Sequence, residues 1–247
     1  MTTLILTPNL LLIRKLESVF ILKDEEKKAI NDLPISTLSL TADQDIVRVG
    51  DQPSRCFLIV EGFTCAYKLT GDGKRQILAL YVPGDIPDLQ SLHLTSLDIS
   101  LASISPCRLG FIKHEDMHRL CKTYPRLASA FWRETLVQAS ITREWLLNIG
   151  QRDSYTRIAH LFCELLLRLK VVGLADNQKF KMPITQVELA DATGITVVHM
   201  NRTLQALRTD GLVINSKTHI SVPDWQKLIE AGEFDPFYLH LLKEPAS

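Results

Sequence analysis

The chain is short of cysteine, of long apolar runs and of net charge, and each shortage closes a class of function. Cys56, Cys65, Cys107, Cys121 and Cys163 are scattered, with no C-x-x-C pair and no histidine at metal-ligand spacing. A zinc or iron–sulfur site would need distant residues to converge, so no metal site is expected. An odd cysteine count without an export signal points to free thiols. No apolar stretch approaches the roughly 20 residues that span a bilayer, so no membrane partner is expected. Met1–Ile13 is apolar but lacks a basic start and a small-residue cleavage site, which argues against a signal peptide and makes the cytoplasm the expected compartment. Catalytic signatures are missing too: no G-x-S-x-G, P-loop, H-E-x-x-H or Gly-rich dinucleotide loop. Asp85, Asp88 and His93 are close in sequence, but a turn and loop account for them, so no catalytic residue and no enzyme is expected.

The charge balance is 28 Lys and Arg against 28 Asp and Glu, which gives a nucleic-acid reading no help from the whole chain. Locally the balance tips: residues 196–220 hold Arg202, Arg208 and Lys217 against Asp210 alone. An apolar content of 46% with 23% charged residues is that of a globular protein, and 247 residues leave room for two domains.

The most informative stretch runs from Pro183 to Val213. Thr185 and Glu188 form a T-x-x-E capping box at the start of a helix, with Leu189 facing inward and Ala190 small enough for a second helix to cross nearby. Gly194 stands where a chain leaving a helix needs positive φ. Thr196 can cap a second helix, in which Met200, Leu204 and Leu207 make one apolar stripe. The other face carries Val197, Val198, Asn201, Arg202 and Gln205, side chains able to touch base edges or phosphates. After Gly211, Leu212–Asn215 and His219–Val222 read as two short strands, and the whole is a winged helix-turn-helix.

Upstream, Asp24–Leu33 reads as a short amphipathic helix. From about residue 34 to 113, β-prone runs recur every 8–12 residues between glycine turns: Thr37–Leu40, Ile46–Val49, Cys56–Val60, Phe63–Leu69, Arg75–Val82, Ile99–Ile104 and Arg108–Ile112. That rhythm predicts a sandwich or jelly roll. A short helix follows at Glu115–Cys121. Pro125 then opens a long helix to about Asn148, along which Leu127, Phe131, Leu136, Ile141 and Trp145 suggest a dimer seam. Ile149-Gly150-Gln151 is the expected hinge, and Ser154–Leu169 the first helix of the second domain. The predicted class is α+β, divided into a sensor domain (1–124), a dimerisation helix and hinge (125–150) and a DNA-binding domain (151–247).

Gly50-Asp51, Phe57–Gly62, Gly71-Asp72-Gly73, Pro83-Gly84-Asp85, and above all Leu189-Ala190-Asp191 through Val198–Leu204, occur in the order seen in the cyclic-AMP receptor protein / fumarate-nitrate regulator (Crp/Fnr) superfamily of bacterial transcription regulators. The chain resembles that superfamily over about residues 28–240. The resemblance implies a homodimer on a palindromic DNA site, with an N-terminal cyclic-nucleotide-binding-like sensor domain and, where transcription is activated, RNA polymerase as a further partner.

Residues transfer one at a time. The family's recognition helix commonly reads bases with Arg and Glu early and a second Arg later; here the early positions are Val197 and Val198 and the later one is Arg202. Valines can lie against a thymine methyl but donate nothing to guanine. Arg202 and Asn201, with His199 as a third candidate, are therefore expected to carry the polar readout, and Thr185, Gln186 and Thr196 to meet phosphate. The sensor pocket maps to Gly84, Asp85, Asp88, Leu89, Asp98 and Ile99. Asp98 occupies the place expected for the arginine that holds a cyclic phosphate, so a cyclic nucleotide is not expected. The iron–sulfur branch uses cysteines near the N-terminus, and residues 1–55 contain none. A haem would need an axial ligand, for which His93, His114 and Cys107 are the nominal candidates. The effector is left open. The competing reading is a ligand- or partner-binding sensor module without DNA binding, motivated by the neutral net charge.

Overall fold

The computed structural model describes residues 7–216 and 218–242. Two compact units emerge: residues through 66 together with 81–136, and residues 67–80 together with 137 onward. The division falls inside the long helix rather than at its ends.

The first unit opens with a helix that sequence reading passed over, α1 (Pro8–Val19). Thr7 caps it by accepting the Leu10 N–H at 3.2 Å, and Pro8 occupies the first turn, where a missing N–H costs nothing. Helix α2 (Asp24–Asn31) follows. The β region then supplies β1 (Ser36–Leu40), β2 (Gln44–Val47), β3 (Arg55–Glu61), β4 (Thr64–Leu69), β5 (Arg75–Tyr81), β6 (Ser100–Ser103) and β7 (Cys107–Lys113), of which the second half of β4 and all of β5 but Tyr81 are assigned to the second unit. They form two sheets, ordered β1-β7-β3 and β2-β6-β4-β5. In the first, β7 runs antiparallel to both neighbours, with Leu109 opposite Leu38 on one side and Ile59 on the other. Between β3 and β4 the chain turns at Gly62, whose φ is 83°; a Cβ there would run into the Pro106 carbonyl. Helix α3 (His114–Thr123) and the first part of α4 (Pro125–Gln151) complete the unit. Leu12 and Leu16 of α1, Leu58, Ile112, Met117 and Phe131 share one apolar core.

The second unit holds the remainder of α4, then α5 (Ser154–Val171), β8 (Ala175–Asp176), β9 (Lys179–Lys181), α6 (Gln186–Thr193), α7 (Val197–Thr209), β10 (Ile214–Asn215), β11 (His219–Ser221) and α8 (Trp225–Gly232). Four short strands make one antiparallel sheet ordered β10-β11-β9-β8, so the wing is twice the size expected from β10 and β11 alone. Helix α5 is buried along most of its length, through Ile158, Leu161, Phe162, Leu165 and Leu169.

The helix α4 corrects the expected dimer seam. Leu127, Phe131, Ile141 and Trp145 are buried within the chain's own core, and of the five residues expected there only Leu136 is exposed. The helix carries apolar side chains on two faces, and the bulkier stripe packs inward. The outward face holds Trp132, Leu136 and Leu146, with Ala139 and Arg143 between them, at spacings of 4, 3, 4 and 3.

Candidate nucleic-acid interface

The helix-turn-helix is fixed by local hydrogen bonds that its sequence dictates. At the start of α6, the Thr185 hydroxyl accepts the Glu188 N–H at 3.3 Å, while Glu188 Oε2 accepts the Thr185 N–H at 2.6 Å and its hydroxyl at 2.7 Å. At the end of α6, Gly194 takes φ 68° and its N–H returns to the Ala190 carbonyl, which also accepts from Ile195 at 3.2 Å. One residue on, Thr196 accepts the His199 N–H at 3.2 Å and starts α7. Met200, Leu204 and Leu207 of α7 are buried along one face with Thr203, as their spacing predicts.

Longer-range contacts hold this pair in place. Arg157 of α5 donates to the carbonyls of Asn148 (2.8 Å), Ile149 (3.1 Å) and Arg152 (2.8 Å) near the end of α4, and to that of Thr193 in the last turn of α6. Its guanidinium thus satisfies carbonyls that two helix ends leave without helical partners. Arg75 bonds the Asp191 carboxylate at 2.8 Å, and Gln76 Nε2 donates to the Asp191 carbonyl at the same distance. Trp145 and Tyr238 donate to Glu164 Oε2, and Arg168 to Oε1, which anchors a buried carboxylate from three sides.

Exposed on α7 are Val197, Val198, His199, Asn201, Arg202 and Gln205, with Thr209 at its last residue. The structure brings these six expected residues to one helix and places Thr185 and Thr196 at the two helix starts, with Gln186 half-buried. The expected caps form, and His199 gains a partner within the chain. The hydroxyls of Thr185 and Thr196 are engaged as caps, so phosphate at these positions would meet backbone N–H groups and the positive helix ends. His199 Nε2 lies 2.7 Å from the Ser154 hydroxyl, itself 3.2 Å from Thr203 Oγ1, which ties α7 to the start of α5. Sequence reading missed that link, and also Lys179 and Lys181, two exposed cations on either side of buried Phe180 in β9. The Lys-Phe-Lys alternation was the available signal. Lys217, counted in the local charge excess, lies outside the described residues.

Comparison with known proteins covers both parts of the chain. Residues 156–231 match the family "Crp-like helix-turn-helix domain", and residues 37–124 match the "Cyclic nucleotide-binding domain". The chain belongs to the Crp/Fnr superfamily. It is similar to the transcriptional activator protein FnrL of Cereibacter sphaeroides, 24% identical over 79% of this chain and 80% of that protein. It is 28% identical to the nitrogen fixation regulation protein FixK of Bradyrhizobium diazoefficiens, over 67% of this chain and 69% of that one. Among solved structures, that of FixK2 from Bradyrhizobium japonicum superposes with a TM-score of 0.72 at 22% identity, covering 81% of this chain and 98% of the other.

Within this Crp/Fnr chain, the expected sensor-pocket residues do not converge on a ligand site. Asp85 is buried: its carboxylate meets Lys15 Nζ of α1 at 2.9 Å and accepts the Val82 N–H at 2.8 Å. Lys15 also meets Glu134 at 3.0 Å, so one buried cation serves two buried acids. Asp88 accepts the Phe57 N–H at 3.0 Å, and burial pushes its carboxyl up to about 7. Asp98 is exposed, Gly84 binds back to the Ile59 carbonyl, and Ile99 is half-buried. These residues do not fit a cyclic phosphate: the six include three acids and no cation, and the lysine beside Asp85 is already paired. Of the six, only Leu89 lines a cavity of about 380 Å³ found in this unit. Two of the three nominal haem ligands are likewise engaged: Cys107 Sγ contacts the Phe63 and Ser105 carbonyls at 3.1 Å, and His114 Nε2 lies 3.0 Å from Ser91 Oγ, while His93 is exposed. Among the described residues no group of three or more His, Cys, Asp or Glu is arranged to hold a metal ion, and no helix is long and apolar enough to cross a membrane.

Proposed function

We propose that the chain is a cytoplasmic, homodimeric transcription regulator that reads a palindromic DNA site with α7 and is controlled through its N-terminal sensor domain. The observation that carries the reading is the exposed face of α7, where Val198, Asn201, Arg202 and Gln205 project from a helix anchored on its other side by Met200, Leu204 and Leu207. Asn and Gln suit adenine, Arg suits guanine, and valine suits the thymine methyl. The transcriptional activator role named for FnrL and the regulatory role named for FixK agree with it.

The dimer follows from α4. Its outward stripe of Trp132, Leu136, Ala139, Arg143 and Leu146 repeats every 3.5 residues on average, the period of a two-helix seam. A two-fold pair would present two α7 helices to half-sites about one DNA turn apart. RNA polymerase enters as a partner if binding activates transcription.

Selection of bound duplexes from a random pool by the purified full chain, followed by affinity against salt, tests the reading. An enriched inverted repeat with half-sites about 10 base pairs apart, and affinity falling steeply with salt, is the expected result. No salt-dependent binding of any duplex would overturn it in favour of a sensor module that does not bind DNA.

A further inference from the structure

The first unit contains a cavity of about 380 Å³ outside both sheets: every residue around it belongs to the 3-10 turn Leu89–Leu92 and the two residues after it, to α3 or to α4. Leu89, Leu92, Met117, Phe131 and Trp132 make its surface mainly apolar. Its polar groups are Gln90, His93, His118, Cys121 and Thr135, so no carboxylate lines it. The two imidazoles face each other with ring centroids 6.2 Å apart, and both residues are exposed. Burial pushes the Cys121 thiol up, which keeps it neutral. A volume in this range holds a small organic ligand, and an apolar wall with a few convergent donors orients one polar end.

We infer that this cavity binds an amphipathic monocarboxylate, with its hydrocarbon body against Met117, Phe131 and Trp132 and its carboxylate at His93, His118 and Gln90. The donor set selects the anion: Gln90 and the two imidazoles can donate hydrogen bonds to a carboxylate, and no acid lines the wall to repel it. The site shares only Leu89 with the Gly84–Leu89 and Asp98–Ile99 positions, whose carboxylates are buried in the core or exposed elsewhere. It also has a route to control. Trp132 and Thr135 line the cavity, and Trp132 and Leu136 belong to the outward stripe of α4, so an occupant touches the proposed dimer seam directly. That regulatory role rests on the reading above; the binding does not.

The test uses the DNA-free full chain, with 1-anilinonaphthalene-8-sulfonate as an apolar anionic probe and octanoate and octanamide as competitors. One dye per chain is expected, displaced by octanoate about tenfold more tightly than by octanamide. Ala128→Phe, at an exposed helix position lining the cavity, should fill it and weaken dye binding about tenfold or more with the melting temperature unchanged. His118→Glu should weaken octanoate about tenfold and leave octanamide as it was. Dye binding that survives Ala128→Phe overturns the site, and equal competition by octanamide overturns the anion. If octanoate displaces the dye but shifts neither dimerisation nor affinity for the selected duplex, the site stands and its regulatory role is overturned.

Discussion

Burial pushes the Asp88 carboxyl up to about 7 because one oxygen accepts only the Phe57 N–H and the other has no hydrogen-bond partner among the described residues. In the unfolded chain the same group titrates near pH 4. The folded state therefore holds its proton more tightly, and this residue's contribution to stability is fully present below about pH 4 and is lost as pH rises through about 7. Asp88→Asn, which keeps an acceptor for Phe57, should flatten that part of the profile: relative to wild type it gains up to about 4 kcal/mol at pH 8 and little at pH 4, by denaturant unfolding at both. An unchanged difference between the two pH values would show that Asp88 does not titrate in this range. At the DNA face, Arg202 is the sharpest test. Arg202→Ala should cost about 1–3 kcal/mol on the selected site and relax preference at one position of each half-site. A uniform loss over all sequences would make it a phosphate contact instead. Arg202's exposure was legible from the 4-and-3 spacing of Met200, Leu204 and Leu207. The engagement of His199 with Ser154 was not, since 45 residues separate them.

At the scale of the element, α6 and α7 were readable because their ends are written in local chemistry: Thr185 with Glu188, Gly194, and Thr196 each act within four residues of themselves. Helix α4 was readable as a helix but not as an interface. Both of its faces are apolar, and no local pattern says which one the chain's own core will claim. The answer lies in partners such as Leu12, Leu16 and Met117, distant in sequence from Leu127 and Phe131. The two faces should respond differently to mutation. Leu136→Glu or Leu146→Glu places a charge on the outward stripe and should convert the dimer to monomer at micromolar concentration, with little change in unfolding free energy per chain. Leu127→Ala should leave the assembly unchanged and cost about 2–5 kcal/mol in stability. Sedimentation and denaturant unfolding of the three variants would decide; a monomeric Leu127→Ala with intact stability would reverse the assignment of faces.

At the scale of the whole molecule, two β sheets, a long helix and a winged helix-turn-helix could be anticipated in order, because glycine turns and alternating apolar positions mark strands at regular intervals. Three things could not. The strands β8 and β9 are two and three residues long, too short for any period to register. Helix α1 lies in an apolar run, and Thr7-Pro8 is the local signal that marks its start. The sensor positions follow from sequence order alone, whereas burial of Asp85 and Asp88 depends on the fold around them.

The triad of Lys15, Asp85 and Glu134 limits where the chain can be cut. The match to the cyclic nucleotide-binding domain begins at residue 37, after α1 and α2, and a fragment trimmed to that point looks like a natural sensor domain. It would lack Lys15, which meets both acids within 3.0 Å while all three side chains are almost fully enclosed. Removing one partner of a buried pair typically costs about 3–5 kcal/mol, and here two acids would lose the same cation. A fragment spanning residues 37–136 should therefore fail to give a cooperative thermal transition at neutral pH, whereas one starting ahead of Thr7 should melt as a unit.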